Sequence, residues 1–309
     1  LHSATMVKAG VFLLLRFWPV LSGTDAWFWL VGGAGLLTLL LGATAAVFQQ
    51  DLKAVLAYST ISHLGLITML IGLGSTLGVV AAIFHIVNHA TFKASLFMAA
   101  GAVDHEAGTR DMRRLGGLRR FMPITATLAL IAGAAMAGVP LLNGFLSKEM
   151  FFAETLVARQ GVVLDIVPVV IAIAASAFGV TYSLRFVRGV FFGRVPADLP
   201  RVPHEPPLWM RLPIGLLALI CLLVGVLPGR VIGPSLHAAA SSVLGVGHMP
   251  AYSLAVWHGV TTPLLMSMFA FAIGCLLYAR MRGYFAGLEV APLIGRISGK
   301  RMFERVLGM

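Results

Sequence analysis

The stretch LGVVAAIFHIVNHATFKASLFMAAG, residues 77–101, decides the fold of this chain. It is apolar for longer than the roughly 20 residues that a helix needs to cross a bilayer, yet it carries His85, His89 and Lys93. These side chains recur at i, i+4 and i+8, so they share one helix face and span about 12 Å along its axis. We predict a transmembrane helix whose polar stripe passes protons. The competing interpretation is hydrogen-bonded structural histidines with a lysine that snorkels towards a helix end.

Composition places the whole chain in the polytopic membrane class. The sequence is 59% hydrophobic and 11% charged, with a mean hydropathy of +0.92. The net charge of +11 is concentrated in short loops between apolar runs, which favours a positive-inside topology over nucleic-acid binding. Cys221 and Cys275 lie in apolar runs without a CxxC partner. We therefore expect no disulfide, no bound metal and no cofactor.

The apolar runs predict an all-α, polytopic transmembrane helix bundle of about eight spans in a lipid bilayer. The candidate spans are 1–20, 27–48, 53–72, 77–101, 164–187, 212–232 and 253–281, with an irregular stretch at 122–158. Arginines are dense in the loops 102–121 and 188–211 and after residue 279. By the positive-inside rule we expect these segments to be cytoplasmic.

This topology determines how the irregular stretch 122–158 is interpreted. If the loops 102–121 and 188–211 share a side, an even number of crossings separates them. Span 164–187 supplies one crossing, so 122–158 supplies another. At about 1.5 Å per residue, the stretch is too long for one straight helix and slightly short for two crossings with a turn.

The motif GVPLLNGFLSKE, residues 138–149, explains the irregular length. Pro140 and Gly144 lie near its centre and predict a broken helix, made of two segments with an unwound joint. Such a joint is tolerated at membrane depth where protein or a water-filled cavity satisfies the freed backbone groups.

Lys148 lies just past this predicted break, in the first turn of the second half-helix. The positive end of the helix dipole and desolvation both disfavour a charged lysine there, so we predict a lysine that exchanges its proton. Glu149 follows it, but neighbours on a helix point about 100° apart, so their pairing is not assured. The alternative is an anchor residue at one membrane face. Four of the five lysines lie in or beside hydrophobic stretches, whereas the arginines lie mostly in loops.

Four further titratable residues are candidates for a proton path. Lys53 opens its span beside Asp51, which can cap the helix or pair with the lysine; a relay role and an interfacial anchor are both open. Lys8 is either a relay group or a snorkelling side chain. His2 lies at the membrane surface or in the interior, depending on what precedes it. His63 lies among hydroxyl side chains, and we favour hydrogen-bonded packing for it.

The segment DHEAGTRDMRR, residues 104–114, is the one place where metal-ligand side chains cluster in the sequence. The candidate ligands are Asp104, His105, Glu106 and Asp111. Because arginines lie among them, we expect a solvated loop with ion pairs to Arg110 and Arg113 rather than a metal site.

The first residues, LHSATMVKAGVFLLLRF, have no charged region before their apolar run and do not resemble a signal peptide. They predict that the chain is a fragment that begins partway along a transmembrane helix or at its mouth.

Five motifs, in this order, resemble the second half of the proton-conducting antiporter module. That module is shared by the large subunit of Mrp-type multisubunit Na+/H+ antiporters and by the antiporter-like subunits of respiratory complex I. The motifs are LHSATMVKAG (1–10), DLKAVLAYSTISHLG (51–65), FHIVNHATFKASLFMAAG (84–101), RRLGGL (113–118) and GVPLLNGFLSKE (138–149). The resemblance covers roughly residues 1–230, and the segment DHEAGTRD is more similar to the version in the large Mrp subunit.

The resemblance implies a role for particular residues. Lys148 matches the lysine of the family's broken helix, and His2 matches its bridging histidine. The relay positions of the family are matched by Lys53, His85, His89 and Lys93. A glutamate and lysine pair belongs to the family's first half, which would lie upstream of Leu1. We expect residues 1–235 to form the second half of the module and 236–309 an additional transmembrane segment with a basic tail.

Three functions are compatible with the sequence. The first is proton translocation within a multisubunit monovalent cation/proton antiporter of the bacterial plasma membrane, with Na+ as the expected cation and other subunits as partners. The second is a proton-pumping subunit of a redox complex whose electron chemistry belongs to other subunits. The third is a membrane scaffold without transport, which has no need for aligned titratable groups. The first two functions differ in the partner subunits that they require rather than in the titratable residues of this chain. The first function is secondary transport and not an enzymatic activity.

Overall fold

Long apolar runs separated by proline, glycine and charged residues fold into helices. The computed structural model describes residues 5–157, 162–197 and 199–287, and these residues contain α-helices and no β-strand. The helices are α1 Ala9–Leu21, α2 Asp25–Trp27, α3 Gly33–Phe48, α4 Leu52–Gly72, α5 Thr76–Ala107, α6 Pro123–Ala137, α7 Asn143–Thr155, α8 Val162–Phe191, α9 Leu208–Val226, α10 Pro228–Val231, α11 Gly233–Leu244 and α12 Thr262–Gly287. A π-helical turn, Phe28–Gly32, joins α2 and α3 into one rod.

Six helical segments are long and apolar enough to cross a membrane. They are Asp25–Phe48, Leu52–Gly72, Thr76–Ala107, Asp165–Phe191, Leu208–Val226 and Thr262–Tyr284. The shorter α1 and the pair α6–α7 bring the bundle into rough agreement with the expected count of about eight spans. The predicted all-α, multi-pass membrane fold is confirmed. The first four residues of the span expected at 1–20 lie outside the described residues.

Two expected spans have different ends in the structure. The span predicted at 212–232 is helix α9, which ends at Val226 because Pro228 starts a separate turn, α10. The span predicted at 253–281 begins only at Thr262, where Pro263 occupies the first turn of α12.

The helix break predicted between α6 and α7 is confirmed. Gly138 ends α6 with a φ of 85°, and Leu141 also has a positive φ, 66°, which is unusual for a residue with a side chain. Gly144 then passes so close to the Ala135 carbonyl that a Cβ atom at this position would clash with it. Lys148 donates a hydrogen bond of 2.8 Å from Nζ to the Ala137 carbonyl, which the break leaves without a helical partner.

The interior of the bundle is enclosed by α4, α5, α7 and α8, of which α4 and α7 each pack against the other three. A short turn at 73–75 makes α4 and α5 antiparallel, and Ser75 caps α5 through the Gly78 amide. The Ser75 hydroxyl also donates to Glu154 near the end of α7, so α7 runs antiparallel to the first half of α5. These directions bring the polar middle of α5 opposite the first turns of α7.

Both arginine-rich loops are shorter than expected. Helix α5 continues to Ala107 and ends at Gly108 in the left-handed conformation, with a φ of 71°. The first loop therefore begins at Gly108 rather than at residue 102. Similarly, α8 reaches Phe191 and α9 starts at Leu208, so the second loop covers 192–207. The added turns are held by contacts with other helices: Asp104 of α5 pairs with Lys53 of α4, and Arg188 of α8 lies over the Tyr278 ring of α12.

The expectation of a solvated loop at 104–114 is partly wrong. Asp104, His105 and Glu106 lie in the last turns of α5. The Glu106 carboxylate is buried between His105 Nδ1 at 3.0 Å and His204 Nδ1 at 3.1 Å, because the second loop folds over it. In contrast, the expected pair of Asp111 and Arg113 forms at 2.7 Å. The Arg113 guanidinium lowers the pKa of the Asp111 carboxyl below its usual value by hydrogen bonding.

The two loops contact each other at one end of the bundle. The Gly117 amide donates to the Phe192 carbonyl at 3.1 Å, and Arg201 Nη1 donates to the His105 carbonyl at 3.3 Å. Glu205 accepts from the Ile124 and Thr125 amides at 3.0 and 2.9 Å and so caps α6. The loops therefore lie on the same side, as the parity of crossings requires.

Candidate functional site

Three histidines meet in the interior, although only two of them share a helix. His63 of α4 lies between His85 and His89 of α5, with ring centroids 5.2 and 5.0 Å away. His63 Nδ1 and His85 Nε2 are 2.9 Å apart, so one ring donates a hydrogen bond to the other. All three rings are buried. The sequence interpretation favoured packing for His63, but the structure puts it at the centre of the histidine triad, as we call His63, His85 and His89.

Two members of the histidine triad, His85 and His63, are hydrogen-bonded to hydroxyl groups from other helices. His85 Nδ1 lies 2.9 Å from Ser147 Oγ in the first turns of α7. His63 Nε2 lies 3.3 Å from the Tyr182 hydroxyl of α8. Both hydroxyls can donate or accept, so His63 and His85 are part of a hydrogen-bonded chain that joins α4, α5, α7 and α8.

His89 differs from its two neighbours. Neither of its ring nitrogens has a hydrogen-bond partner among the described protein groups, although the residue is fully buried. Its ring lies 5.5 Å from Phe92 and 6.3 Å from His85, centroid to centroid. Buried polar groups are normally hydrogen-bonded, so an imidazole held in this way is uncommon in a merely structural position.

Lys93 lies two turns further along α5 than His85 and is fully buried. Its Nζ donates to the Ser59 hydroxyl, to the Leu56 carbonyl at 3.3 Å and to Met136 Sδ at 3.2 Å. These acceptors are all neutral. Burial without a paired carboxylate is costly for a permanently charged group, whereas an amine can release its proton.

Lys148 is likewise buried and bonded to a neutral acceptor, the Ala137 carbonyl at the helix break. It directly follows Ser147, the partner of His85, in the chain. Helix α7 thus presents a hydroxyl to the histidine triad and an amine to the unwound joint within one turn. The sequence placed Lys148 in the first turn of the second half-helix, but α7 begins at Asn143, before the position expected, so Lys148 lies in its second turn.

Lys53 lies away from the buried groups. Its Nζ pairs with Asp104 at 2.6 Å, and the two side chains are 41% and 32% exposed, at the end of the bundle that carries the arginine-rich loops. Asp51 caps α4 through the Lys53 and Ala54 amides and pairs with Arg110, so it does not pair with Lys53. Eleven positions separate Asp104 from Lys93 on α5, which corresponds to about 16 Å along the helix.

The remaining candidates occupy three different environments. Lys8 is buried and ends a short 3-10 turn before α1. The Glu149 carboxylate turns away from the triad to Thr261, at 3.3 Å, and His258, at 4.0 Å. His2 lies outside the described residues.

Sequence reasoning missed the hydroxyl groups that complete the cluster, Ser147, Ser59 and above all Tyr182. A relay on one helix can be found by its i, i+4, i+8 spacing, but contacts between helices leave no such pattern. The only signal for Tyr182 was the polar run TYSLR, residues 181–185, inside an otherwise apolar span.

Within the described part of the chain, no group of three or more His, Cys, Asp or Glu side chains has an arrangement that could hold a metal ion. Cys221 and Cys275 are both free thiols. The chemistry that the cluster itself offers is proton exchange among imidazole, amine and hydroxyl groups.

The fold and the cluster define a class: a multi-pass helical membrane protein with buried, hydrogen-bonded titratable groups. Residues 1–174 match the family "NADH:quinone oxidoreductase/Mrp antiporter, TM". The chain belongs to this family.

Two curated proteins that are similar to this chain are named as antiporter subunits. The chain is 67% identical over 308 residues to a probable K(+)/H(+) antiporter subunit of Rhizobium meliloti, covering 99% of this chain and 31% of that protein. It is 43% identical over 308 residues to a Na(+)/H(+) antiporter subunit of Alkalihalophilus pseudofirmus, covering 92% of this chain and 38% of that protein. The chain therefore spans about a third of the length of these curated relatives.

Two solved assemblies contain chains of the same fold. The Mrp complex from Dietzia sp. DQ12-45-1b has a TM-score of 0.83 and 38% identity, covering 99% of this chain and 33% of that one. The membrane-bound sulfane sulfur reductase, an archaeal respiratory membrane complex, has a TM-score of 0.70 and 28% identity, covering 93% and 48%.

Proposed function

We propose that this chain moves protons through its buried histidines and lysines as part of a multisubunit monovalent cation/proton antiporter. The observation that carries the proposal is the histidine triad with its two hydroxyl partners and two buried lysines held by neutral acceptors. Burying basic groups inside a membrane without acidic partners costs free energy. Intramembrane ionisable residues of this kind usually serve ion or proton pathways. The proposed activity is secondary transport rather than an enzymatic reaction.

The proposed path starts at the pair of Lys53 and Asp104, which faces the arginine-rich end of the bundle. Because this pair is half-exposed, protons reach it from water, and the lysine's charge holds Asp104 at the entrance. The buried part of the path begins at Lys93, about 16 Å further along α5 than Asp104, so the proposal requires water molecules to carry the proton over that distance. His89 follows Lys93 one turn away on the same helix. Within the histidine triad the proton then passes from His89 to His85.

From His85 the path continues across the helix break. The Ser147 hydroxyl, 2.9 Å from His85 Nδ1, can donate one proton and accept another, and so connects α5 to α7. Lys148 then receives the proton beside the unwound joint. Lys8 is close enough to His85, His89 and Lys93 to interact with them electrostatically, and we propose it as a side group of this path. Glu149 and His2 are proposed as groups outside the core path. The division into a module at 1–235 and an additional segment at 236–309 stays a prediction; α11 packs on α1 and α5, and α12 packs on α7 and α8.

The exchanged cation is a separate matter from the proton path. We propose a monovalent cation, with Na+ as the expectation from the Na(+)/H(+) antiporter subunits that resemble this chain. The Rhizobium relative is called a K(+)/H(+) antiporter subunit, so K+ is the specific alternative. Exchange assays with the complete complex in vesicles, with Na+ or K+ as the only cation offered, decide between them.

The second candidate function, a proton-pumping subunit of a redox complex, rests on the similarity to the archaeal respiratory complex. The greater identity to antiporter subunits favours the antiporter. Purification of the native complex tests the choice: antiporter subunits without quinone- or NADH-oxidising partners support exchange, whereas copurified redox subunits overturn it. If the chain were a scaffold without transport, the third possibility, complexes with substitutions at its buried histidines and lysines would still exchange ions.

We propose that the chain lies in the bacterial plasma membrane with both arginine-rich loops in the cytoplasm, and labelling tests this topology. Single cysteines at Arg120 and Arg201, in a background without Cys221 and Cys275, are expected to react with a membrane-impermeant thiol reagent only in inside-out vesicles. Gly229→Cys, at the far end of α9, is the matched control and should react only in right-side-out vesicles. Labelling of Arg120→Cys and Arg201→Cys from opposite sides would refute the topology.

A further inference from the structure

A small cavity at the arginine-rich end of the bundle is not part of the proposed proton path. It has a volume of about 190 Å³ and is lined by side chains from α8, α12, the first loop and the turn before α4. Its charged lining residues are Arg113, Arg185 and Arg282, and none of the described residues that line it is acidic. We call it the arginine cavity.

The arginine cavity lies near the depth of a lipid headgroup. Arg185 is six positions before the end of α8, which corresponds to about 9 Å along the helix. Tyr278 of α12 lines the cavity, and the Arg188 guanidinium carbon lies 5.9 Å from its ring centre. Tyrosine and arginine at helix ends are typical of the membrane–water interface.

Two of the three arginines are held in place before any ligand arrives. Arg185 is buried and donates to the Val47 carbonyl and, at 3.0 Å, to Gln50 Oε1. Arg113 is aligned by its bonds to the Asp111 carboxylate. Arginines that are already ordered lose less conformational entropy when an anion binds. Arg282 is at the rim of the cavity and supplies a third cation.

Three guanidinium groups line this small cavity. Arg113 already bonds Asp111 through Nε and Nη2, and Arg185 already donates from both terminal nitrogens, so a phosphate here accepts from their remaining N–H groups and from Arg282. The planar fork of arginine pairs with two phosphate oxygens at once, and basic pockets between transmembrane helices bind the headgroups of anionic lipids. The volume lies below the roughly 300–1,000 Å³ of sites for complete small-molecule ligands, so a phosphate group with its ester arms fits better than a nucleotide.

We propose that the arginine cavity binds a phosphate group at the cytoplasmic membrane surface, of the kind carried by an anionic phospholipid headgroup. Bound there, the lipid contacts α8, α12 and the turn at Gln50, which leads directly into α4. Through this turn, a lipid bound in the cavity contacts the segment that leads into α4, the helix that carries His63. This inference concerns binding and does not depend on the proposed transport function.

The test uses the complete complex, stripped of lipid in a nonionic detergent. Short-chain phosphatidylglycerol is titrated, and the rise in melting temperature gives its Kd. Short-chain phosphatidylcholine serves as the zwitterionic comparison and inorganic phosphate as the free anion. We expect saturable stabilisation by phosphatidylglycerol but not by phosphatidylcholine. Equal affinity for inorganic phosphate would support the phosphate site and assign it to a free anion rather than a lipid.

Arg282→Gln is the decisive variant because this side chain lies at the rim and its loss leaves the fold intact. Removing one charged hydrogen bond is expected to weaken phosphatidylglycerol binding about tenfold. Arg230→Gln, which removes an exposed arginine at the opposite end of the bundle, should leave the affinity unchanged. Arg185→Lys, which keeps the charge but not the fork, should also weaken binding. Absence of saturable binding by the wild-type complex, or equal affinity in Arg282→Gln, would overturn the proposal.

Discussion

Replacing Lys148 by arginine is expected to abolish cation/proton exchange, although the substitution keeps the positive charge. Lys148 is buried and its Nζ donates to the Ala137 carbonyl at the helix break. An amine there can give up its proton, whereas a guanidinium, with a pKa of about 12.5 or more, stays protonated. The measurement is cation-driven acidification or alkalinisation of vesicles that contain the complete complex. We expect exchange to fall to the level of protein-free vesicles in both Lys148→Arg and Lys148→Ala.

The same substitution at Lys53 is the matched control. Lys53 is 41% exposed and pairs with Asp104, so its charge, rather than release of its proton, is what the geometry requires. Lys53→Arg should retain most of the exchange. If Lys148→Arg were as active as the wild type while Lys148→Ala were inactive, charge alone would suffice, and Lys148 would be an electrostatic anchor.

The second large effect is expected at the histidine triad. His85→Ala removes the group that is bonded to both His63 and Ser147, and it should reduce exchange at least tenfold. His89→Ala should impair exchange as well. Neither variant should prevent assembly, because the surrounding apolar contacts of α5 remain. The measurements are exchange in vesicles and the yield of intact complex by size-exclusion chromatography.

Two further variants separate proton transfer from packing at the triad. His85→Gln retains hydrogen-bonding capacity in a side chain that cannot be protonated near neutral pH. The variant should therefore assemble like the wild type but remain defective in cation/proton exchange. His237→Ala removes an exposed histidine on α11 and should have no effect. Full exchange by assembled His85→Ala and His89→Ala complexes would show that the triad is structural.

Much of this arrangement could be predicted from the sequence where the signal lies within one helix. The spacing of His85, His89 and Lys93 determined their common face, since α-helical geometry leaves no other choice. The break before Lys148 followed from parity and from Pro140 and Gly144. These inferences depend only on local periodicity and on membrane thickness.

Features that depend on contacts between helices could not be predicted in this way. His63 was interpreted as hydrogen-bonded packing, and it is buried and hydrogen-bonded, but its partners, His85 and Tyr182, belong to other helices and could not be identified from the sequence. Asp104 was assigned to a loop because charged residues usually end a span, whereas α5 carries it into the ion pair with Lys53. Glu106 was expected in water, but the second loop covers it.

A substitution of Lys93 shows whether protons pass through the interior of this chain. This fully buried lysine lies between the entrance at Lys53 and the histidine triad. Lys93→Gln can keep the bonds to Ser59 and the Leu56 carbonyl but cannot carry a proton. The measurement is the rate of internal pH change after a cation jump, in vesicles with equal amounts of assembled wild-type or variant complex. We predict that Lys93→Gln lowers this rate to the background of empty vesicles. A wild-type rate in Lys93→Gln would contradict the proton path through α5.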